Sequence, residues 1–592
     1  MKVSLRAYWQ LLRRYLQPQR GAVGLMGGLL LGSIGLQLVG PQVARAFIDG
    51  TRRGADEGML VRLALLFLGV AAVQQVLTVL ASYCSERVAW TATNALRADL
   101  AAHLLRLDPG FHTARTPGEL IERVDGDVNA LAGFFSSFVV QVLGSVLLLV
   151  GVLVSVAVLD MRLGAAFSLF AVLALVGLSW VRGFGTGLWQ ADRQHSAVFY
   201  GYLGEVLTAT EDLRSSGAEA YALRRFFEHL RGWWPVCRQA GLWGQAVLMA
   251  AIAAFAVADA LAYGLGGGLY RLGALSLGAV YMVVAYTAML AHPIETIRTQ
   301  LQDLQKADAA IARVRELLQT RSTLQDGVES VPRRPLAVEF HNVCFSYETG
   351  AEDLAGESSA GEPRAWVLEG LSFTLGAGRI LGIVGRTGSG KTTVARLLFR
   401  LYDPQEGAVQ LGGIDLRRAH LGDLRARVGL VTQDVQLFAA SLRDNITFFD
   451  PAVPDERLHA VLRALGLEAW LRRLPRGLET PISGATLSAG EAQLLALARV
   501  FLKDPGLIIL DEASSRLDPA TEALLDRALG TLLENRTAIV IAHRLTTLER
   551  VDDLLVLEDG RVVERGPRDE LTRDATSRFA ALRGTGLEEA LV

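Results

Sequence analysis

The sequence predicts an all-α membrane domain of six transmembrane helices, followed by a cytoplasmic α/β domain built on a largely parallel sheet. Three observations carry that expectation. Long apolar runs fill much of the first 294 residues. From Leu336 onward the pattern changes to short β-rich runs alternating with helices. One of those runs, Ile380–Val384, leads straight into a Gly-rich loop of the kind that binds phosphate.

Composition agrees with a membrane part joined to a soluble part. The 592 residues are 51% hydrophobic and 20% charged. At roughly 100–200 residues per domain, the length allows three or four domains. A net charge of −2 provides no basic field to draw nucleic acid, so no such partner is expected. Cys84, Cys237 and Cys344 are widely separated. An odd count without a pattern argues for reduced thiols and against a disulfide framework.

A bilayer core about 30 Å thick takes roughly 20 apolar residues as a helix. Gly21–Ala44, Leu63–Cys84, Leu131–Leu159, Leu163–Val181 and Leu272–Ile294 qualify, and Gly244–Tyr270 is interrupted only by Asp259. With cytoplasmic extensions, the helices are expected at about 21–48, 59–107, 128–159, 161–210, 215–270 and 272–323. The gaps after the second and fourth runs are long and Arg-rich: Arg87, Arg97, Arg106, Arg115 and Arg123, then Arg193, Arg214, Arg224, Arg225 and Arg231. That bias places them, and both termini, in the cytoplasm, and makes this a multi-pass protein of the cell inner (plasma) membrane. Residues 4–18 are basic and amphipathic and show no cleavable signal. They read as a helix on the cytoplasmic membrane surface, in contact with lipid, or as an ordinary exposed helix. The membrane domain is thus expected over 1–323, a Pro-containing linker over 324–335, and the α/β domain over 336–592. Within the latter, 349–364 reads as a surface loop.

Gly385-Arg386-Thr387-Gly388-Ser389-Gly390-Lys391-Thr392 fits G-x-x-x-x-G-K-[ST], after an apolar strand and before a helix that opens at Thr393. Glycines let successive N–H groups turn toward phosphate, and the helix N-terminus adds partial positive charge. Lys391 is expected at the β- and γ-phosphates of ATP, and the Thr392 hydroxyl at Mg²⁺. Leu507–Asp511 is an apolar strand followed by a second acid, Glu512. Such a strand delivers its acids to the sheet edge where ligands bind. Asp511 suits the Mg²⁺ shell, and Glu512 suits activation of the attacking water.

Further residues narrow the reading. Leu487-Ser488-Ala489-Gly490-Glu491 resembles the LSGGQ signature of ABC proteins. Gln433 resembles the Q-loop, Asp518 (in Ser515-Arg-Leu-Asp) the D-loop, His543 the switch histidine, and Tyr347 the aromatic that stacks on adenine. In the first half, Phe111…Thr116-x-Gly118-Glu-Leu120 and Glu205-x-Leu207…Arg214 look like the intracellular loops of exporter-type ABC proteins. The resemblance covers essentially the whole chain. It implies a half-transporter of the type IV (exporter) fold, with an ABC ATPase domain and coupling helices near 111–116 and 209–214. It also implies catalytic roles for Glu512, His543 and Gln433, nucleotide contacts from Tyr347, Thr393, Ser488, Gly490 and Asp518, and Gln433 beside Thr392 and Asp511 at Mg²⁺. ATP would be sandwiched between the phosphate loop of one subunit and the signature of the other.

Ala489 stands where that signature has Gly, Glu491 where it has Gln, and Thr480–Thr486 is shorter than the family pattern and lacks its Glu. These departures favour a heterodimer with one impaired ATP site over a homodimer. The expected activity is ATP hydrolysis coupled to movement of an amphipathic, lipid-like or drug-like small molecule. The alternatives are a homodimeric lipid or drug flippase and an importer of a siderophore-like molecule. Gln74, Gln75, Gln141 and Asp259 are candidate polar groups of a transport cavity; Asp259 reads equally as a group at a helix end in water.

Overall fold

The computed structural model describes residues 13–133, 139–333, 335–347, 365–432, 435–483, 486–511, 519–542 and 545–584. They form two compact units, one of Met1–Leu105 with Gly118–Thr320 and one of Arg106–Pro117 with Arg321–Val592. The expected loop at 349–364 and most of the expected N-terminal helix lie outside the described residues; residues 13–16 are helical.

In the first unit, α1 (Arg20–Arg52), α2 (Glu57–Leu104), α3 (Val139–Leu159), α4 (Met161–Thr208), α5 (Glu219–Arg271) and α6 (Leu277–Gln319) follow one another. The turns before α2, α4 and α6 are short, and each supplies an N-cap. Asp56 accepts from the Gly58 amide, Asp160 from Arg162 and Ser276 from Ala279. Four helices among the described residues are long and apolar enough to cross a membrane: Arg13–Arg52, Glu57–Leu104, Gln141–Leu159 and Glu219–Arg271. Met161–Gly177 and Leu277–Ala291 are shorter apolar stretches of α4 and α6. The third expected helix is helical over Asp127–Gly133 and Val139–Leu159, and a π-turn at Glu122–Gly126 precedes it. Asp127 is buried there and accepts from the Arg313 guanidinium of α6 at 2.9 and 3.1 Å.

Small residues let these helices approach closely, the usual packing mode where lipid removes the hydrophobic drive between helices. Ala258, Ala262 and Ala279 are fully buried, and a Cβ at Gly278 would collide with the Arg45 carbonyl. Asp49 joins α1 to α6 by accepting from Ser276 Oγ at 2.6 Å and the Gly278 amide at 2.9 Å. Phe167, Tyr286 and Leu290 fill the centre of the bundle.

In the second unit, β1 (Val338–Phe345), β2 (Leu368–Leu375), β4 (Glu406–Leu411) and β5 (Ile414–Asp415) form a sheet of order β2-β1-β4-β5. A second sheet runs β12-β11-β3-β10-β9-β6, with β3 (Ile380–Val384), β6 (Val428–Val431), β9 (Leu507–Asp511), β10 (Thr537–Ile541), β11 (Asp553–Glu558) and β12 (Arg561–Pro567). All its pairings but β11–β12 are parallel. Two further short strands, β7 (Ala440–Ser441) and β8 (Pro481–Ile482), pair antiparallel with each other. Strands β9 and β10 are buried throughout, as a sheet covered on both faces requires.

Two segments depart from expectation. The short helix expected at 111–116 spans Pro109–Thr113, because Pro109 presets its first turn; its counterpart in the first unit spans Thr210–Ser215. The stretch read as a linker does not run free within its unit. The Gly327 and Glu329 amides donate to the Ala419 and Arg418 carbonyls at 3.2 and 2.9 Å, and Val331 is buried.

Candidate nucleotide site

The phosphate loop joins β3 to helix α7 (Lys391–Leu398). Gly388 and Gly390 have φ of +85° and +99°, conformations that a side chain resists, and Gly390 caps α7. The space beside Gly388 is open. Lys391 is buried, and its ammonium donates to the Gly385 and Arg386 carbonyls at 2.6 and 2.8 Å. Burial dominates its titration and pulls it below the ordinary lysine value, while Asp511 pulls the other way.

Parallel pairing explains why Asp511 reaches this loop. Ile541 of β10 pairs with Asp511 of β9 on one side and with Ile383 of β3 on the other. The carboxylate therefore leaves the sheet in the row that holds the strand entering the loop, and it is buried. Ser389 Oγ is buried without a hydrogen-bond partner among the described residues. An open glycine cradle, a desolvated ammonium and an orphan hydroxyl fit a polyphosphate. Thr392 is exposed at the first turn of α7.

Tyr347 packs edge-on against Phe345 and Tyr402, with centroids 4.8 and 5.3 Å away. Its hydroxyl lies 3.0 Å from Thr393 Oγ1, and the Arg396 guanidinium sits 5.6 Å from its ring centroid. Tyr347 is 37% exposed, leaving surface for an adenine to stack on. Tyr347→Ala should raise the KM for ATP by about 5–150-fold, equivalent to about 1–3 kcal/mol of stacking, with a smaller change in kcat. An ATP titration of hydrolysis reads this directly; an unchanged KM would assign Tyr347 to packing alone.

The signature segment opens helix α8 (Ala489–Lys503) with a capping box: Ser488 Oγ accepts from the Glu491 amide at 3.3 Å, and Glu491 accepts from the Ser488 amide at 2.9 Å. Trp470 Nε1 donates to the other Glu491 oxygen at 2.9 Å. Burial pushes the Glu491 carboxyl up, but the Ser488 amide, the Trp470 indole and nearby Arg473 outweigh it and hold the group below the ordinary carboxylate value. It is therefore a fixed negative charge in the first turn of α8, and it offsets the partial positive charge that turn would offer a phosphate. Ala489 is not among the residues with positive φ, so its methyl group adds no backbone strain. Gly490 is buried.

Gln433, Glu512, Asp518 and His543 lie outside the described residues. Sequence reasoning missed Trp470, whose link to Glu491 spans 21 residues and matches no motif. It also missed Asp108. In the second unit, that carboxylate accepts from the Ser322 hydroxyl, the Thr323 amide and Thr323 Oγ1.

In the helical unit, Gln74 lines a cavity of about 290 Å³ between α1, α2 and α6. Gln75, Gln141 and Asp259 are exposed on the chain. Asp259 lies 12 residues before the end of α5 at Arg271, about 18 Å along the helix. It therefore does not sit at the end of its helix.

Comparisons with known proteins agree with this architecture. Residues 23–294 match the ABC transporter transmembrane region family, and residues 368–515 match the ABC transporter family. The chain is 30% identical to the probable multidrug resistance ABC transporter ATP-binding/permease protein YheH of Bacillus subtilis (strain 168), over 80% of this chain and 69% of that protein. It is 32% identical to the multidrug efflux ATP-binding/permease protein Rv0194 of Mycobacterium tuberculosis, over 95% of this chain but 46% of that one. A bacterial Atm1-family ABC exporter, solved with ATP bound, superposes with a TM-score of 0.76 at 27% identity, covering 97% of this chain and 98% of its own.

The chain belongs to the ABC transporters. It is a membrane-embedded half-transporter of exporter fold, with one transmembrane region and one ATPase domain that binds ATP and couples its hydrolysis to transport.

Proposed function

We propose that the chain pairs with a different half-transporter to export an amphipathic, drug-like or lipid-like molecule across the cell inner membrane. The observation that carries this reading is the contrast between the two half-sites that the chain contributes. Its own phosphate loop presents Lys391 beside Asp511 in a cradle suited to ATP, whereas its signature helix opens on a fixed Glu491 charge. Thr392, Asp511 and Gln433 would hold Mg²⁺, which when bound neutralises charge on the β- and γ-phosphates. Glu512 orients and activates water, and His543 contacts the γ-phosphate end of the site. The nucleotide-binding domain and both termini face the cytoplasm.

The test is uptake into inverted membrane vesicles containing the assembled transporter. An amphipathic fluorescent probe should accumulate inside with MgATP, and not when EDTA removes the metal. Efflux from those vesicles would instead mean import.

Asp108 should matter to coupling. Its bonds fix the segment before the Pro109–Thr113 helix to Ser322 and Thr323, where the chain leaves α6. Asp108→Ala should lower transport per ATP hydrolysed severalfold while ATP hydrolysis changes less. Equal losses in both would mean that the carboxylate only stabilises the fold.

A further inference from the structure

We infer that the cavity between α1, α2 and α6 binds an uncharged amphiphile bearing amide or hydroxyl groups. This rests on the transporter reading and narrows its substrate. Gln37 and Gln74 face the cavity, with Pro41 and Tyr281 beside them, and no lining residue is charged. Gln37 lies 15 residues before the end of α1 at Arg52, about 22 Å along the helix, so the site sits deep in the span.

The chemistry of its wall follows from Pro41. Proline has no N–H, so the carbonyl of Gln37, four residues earlier, loses its helical donor. The polar side chains nearby do not replace it. The Tyr286 hydroxyl donates to the Leu38 carbonyl at 2.8 Å, and Gln42 donates to that same hydroxyl at 3.3 Å. Gln74 donates one of its two amide N–H groups to Thr78 Oγ1 at 3.2 Å, which leaves the second N–H as a donor and the carbonyl oxygen as an acceptor. No hydrogen bond involves the Gln37 carboxamide among the described residues. The cavity therefore presents the Gln37 main-chain carbonyl as an acceptor, two carboxamides that both donate and accept, and the Tyr281 hydroxyl. Polar groups at bilayer depth need partners, and ligand hydroxyls or amides supply them.

A cation finds no counter-charge here. The charged residues next along α1, Arg45 and Asp49, pair with each other at 3.7 Å. An unpaired charge at this depth is costly. A second cavity of about 520 Å³ shares Ala44, Phe67 and Tyr281 with the first and is walled by Phe47, Ile48, Leu63 and Leu68. The pair thus offers a polar end and an apolar end, of a combined size that suits a drug-sized or lipid-sized molecule.

The experiment uses the assembled transporter in phospholipid nanodiscs and reads stimulation of MgATP hydrolysis by two probes of equal chain length. N-decanoyl-N-methylglucamine is neutral and carries an amide and hydroxyls; decyltrimethylammonium is a permanent cation. The neutral probe should reach half-maximal stimulation at a concentration tenfold or more below that of the cation. The double variant Gln37→Leu/Gln74→Leu should raise the neutral probe's half-stimulating concentration at least tenfold, measured against that variant's own unstimulated rate. Gln74→Glu should reverse the preference toward the cation, which keeps the test decisive if the leucine variant misfolds. The inference is overturned if the cation works equally well on the unmodified protein, if neither variant shifts the response, or if neither probe stimulates. Unstimulated hydrolysis reports on the transporter reading separately: its presence with any of those outcomes sinks the site alone, and its absence sinks both.

Discussion

Glu512→Gln in the assembled transporter should lower ATP turnover by about 10²–10⁴-fold, the range expected when a general base is lost, while nucleotide stays bound. The argument starts from what the site already contains. Phosphate binding rests on the glycine cradle and on Lys391, whose ammonium is held against the loop carbonyls and desolvated. Asp511 lies in the row of β-residues that feeds this loop, so it suits the Mg²⁺ shell. None of these groups is placed to take a proton from water without giving up its own role. Glu512, the next residue in sequence, is the acid left for that work. An amide in its place keeps the size and removes the basicity. Bound [α-³²P]ATP should therefore remain as triphosphate through purification in the variant. Lys391→Ala should behave in the opposite way, losing bound nucleotide because phosphate loses its cation. Full turnover in Glu512→Gln would assign the base to another group.

What was legible in the sequence was whatever a single segment encodes. Each apolar run long enough to span a bilayer states its own fate, because no water is available there to satisfy any other backbone arrangement. The phosphate loop reads equally well, since its glycines and lysine are contiguous and its strand and helix flank it directly. What was not legible depends on partners distant in the chain. Gln37 looks like one more residue of a charge-free run; only the packing of α1 against α2 and α6 brings its amide to Gln74 and Tyr281. A polar residue four positions before an intrahelical proline was the available signal. Asp108 reaches Thr323 across 215 positions. Glu491 shows in the sequence only as a departure from the signature, whereas in the fold its oxygens are occupied by the Ser488 amide and the Trp470 indole. The linker stretch lacks an apolar period because it pairs through its backbone, which imposes none.

Expressed without a partner, this chain should either fail to form a stable dimer or hydrolyse ATP at least tenfold more slowly than the complete transporter. In a homodimer, both composite sites would carry the Ser488–Glu491 segment of this chain. A helix N-terminus attracts phosphate through a partial charge of roughly +0.5. Glu491 places a full negative charge within that turn, and the Trp470 and Ser488 hydrogen bonds keep it ionised. The methyl group of Ala489 adds no strain, so any loss at that site is expected from the electrostatic change. In a heterodimer the damage is confined to one site, and the partner supplies an unaltered signature to this chain's Lys391 and Glu512. Such a partner needs no efficient base at the slow site, so the acid following its own magnesium-binding Asp is expected not to be Glu. Glu491→Gln isolates the cause. It keeps the side-chain size and removes the charge, although its NH2 can no longer accept from one of the two donors, Ser488 N–H and Trp470 Nε1, and should raise the turnover of the lone chain severalfold. Size-exclusion chromatography with light scattering and a coupled ATPase assay measure both quantities. A stable homodimer with full, substrate-stimulated turnover would sink the heterodimer, and an inactive homodimer that Glu491→Gln leaves unchanged would acquit Glu491.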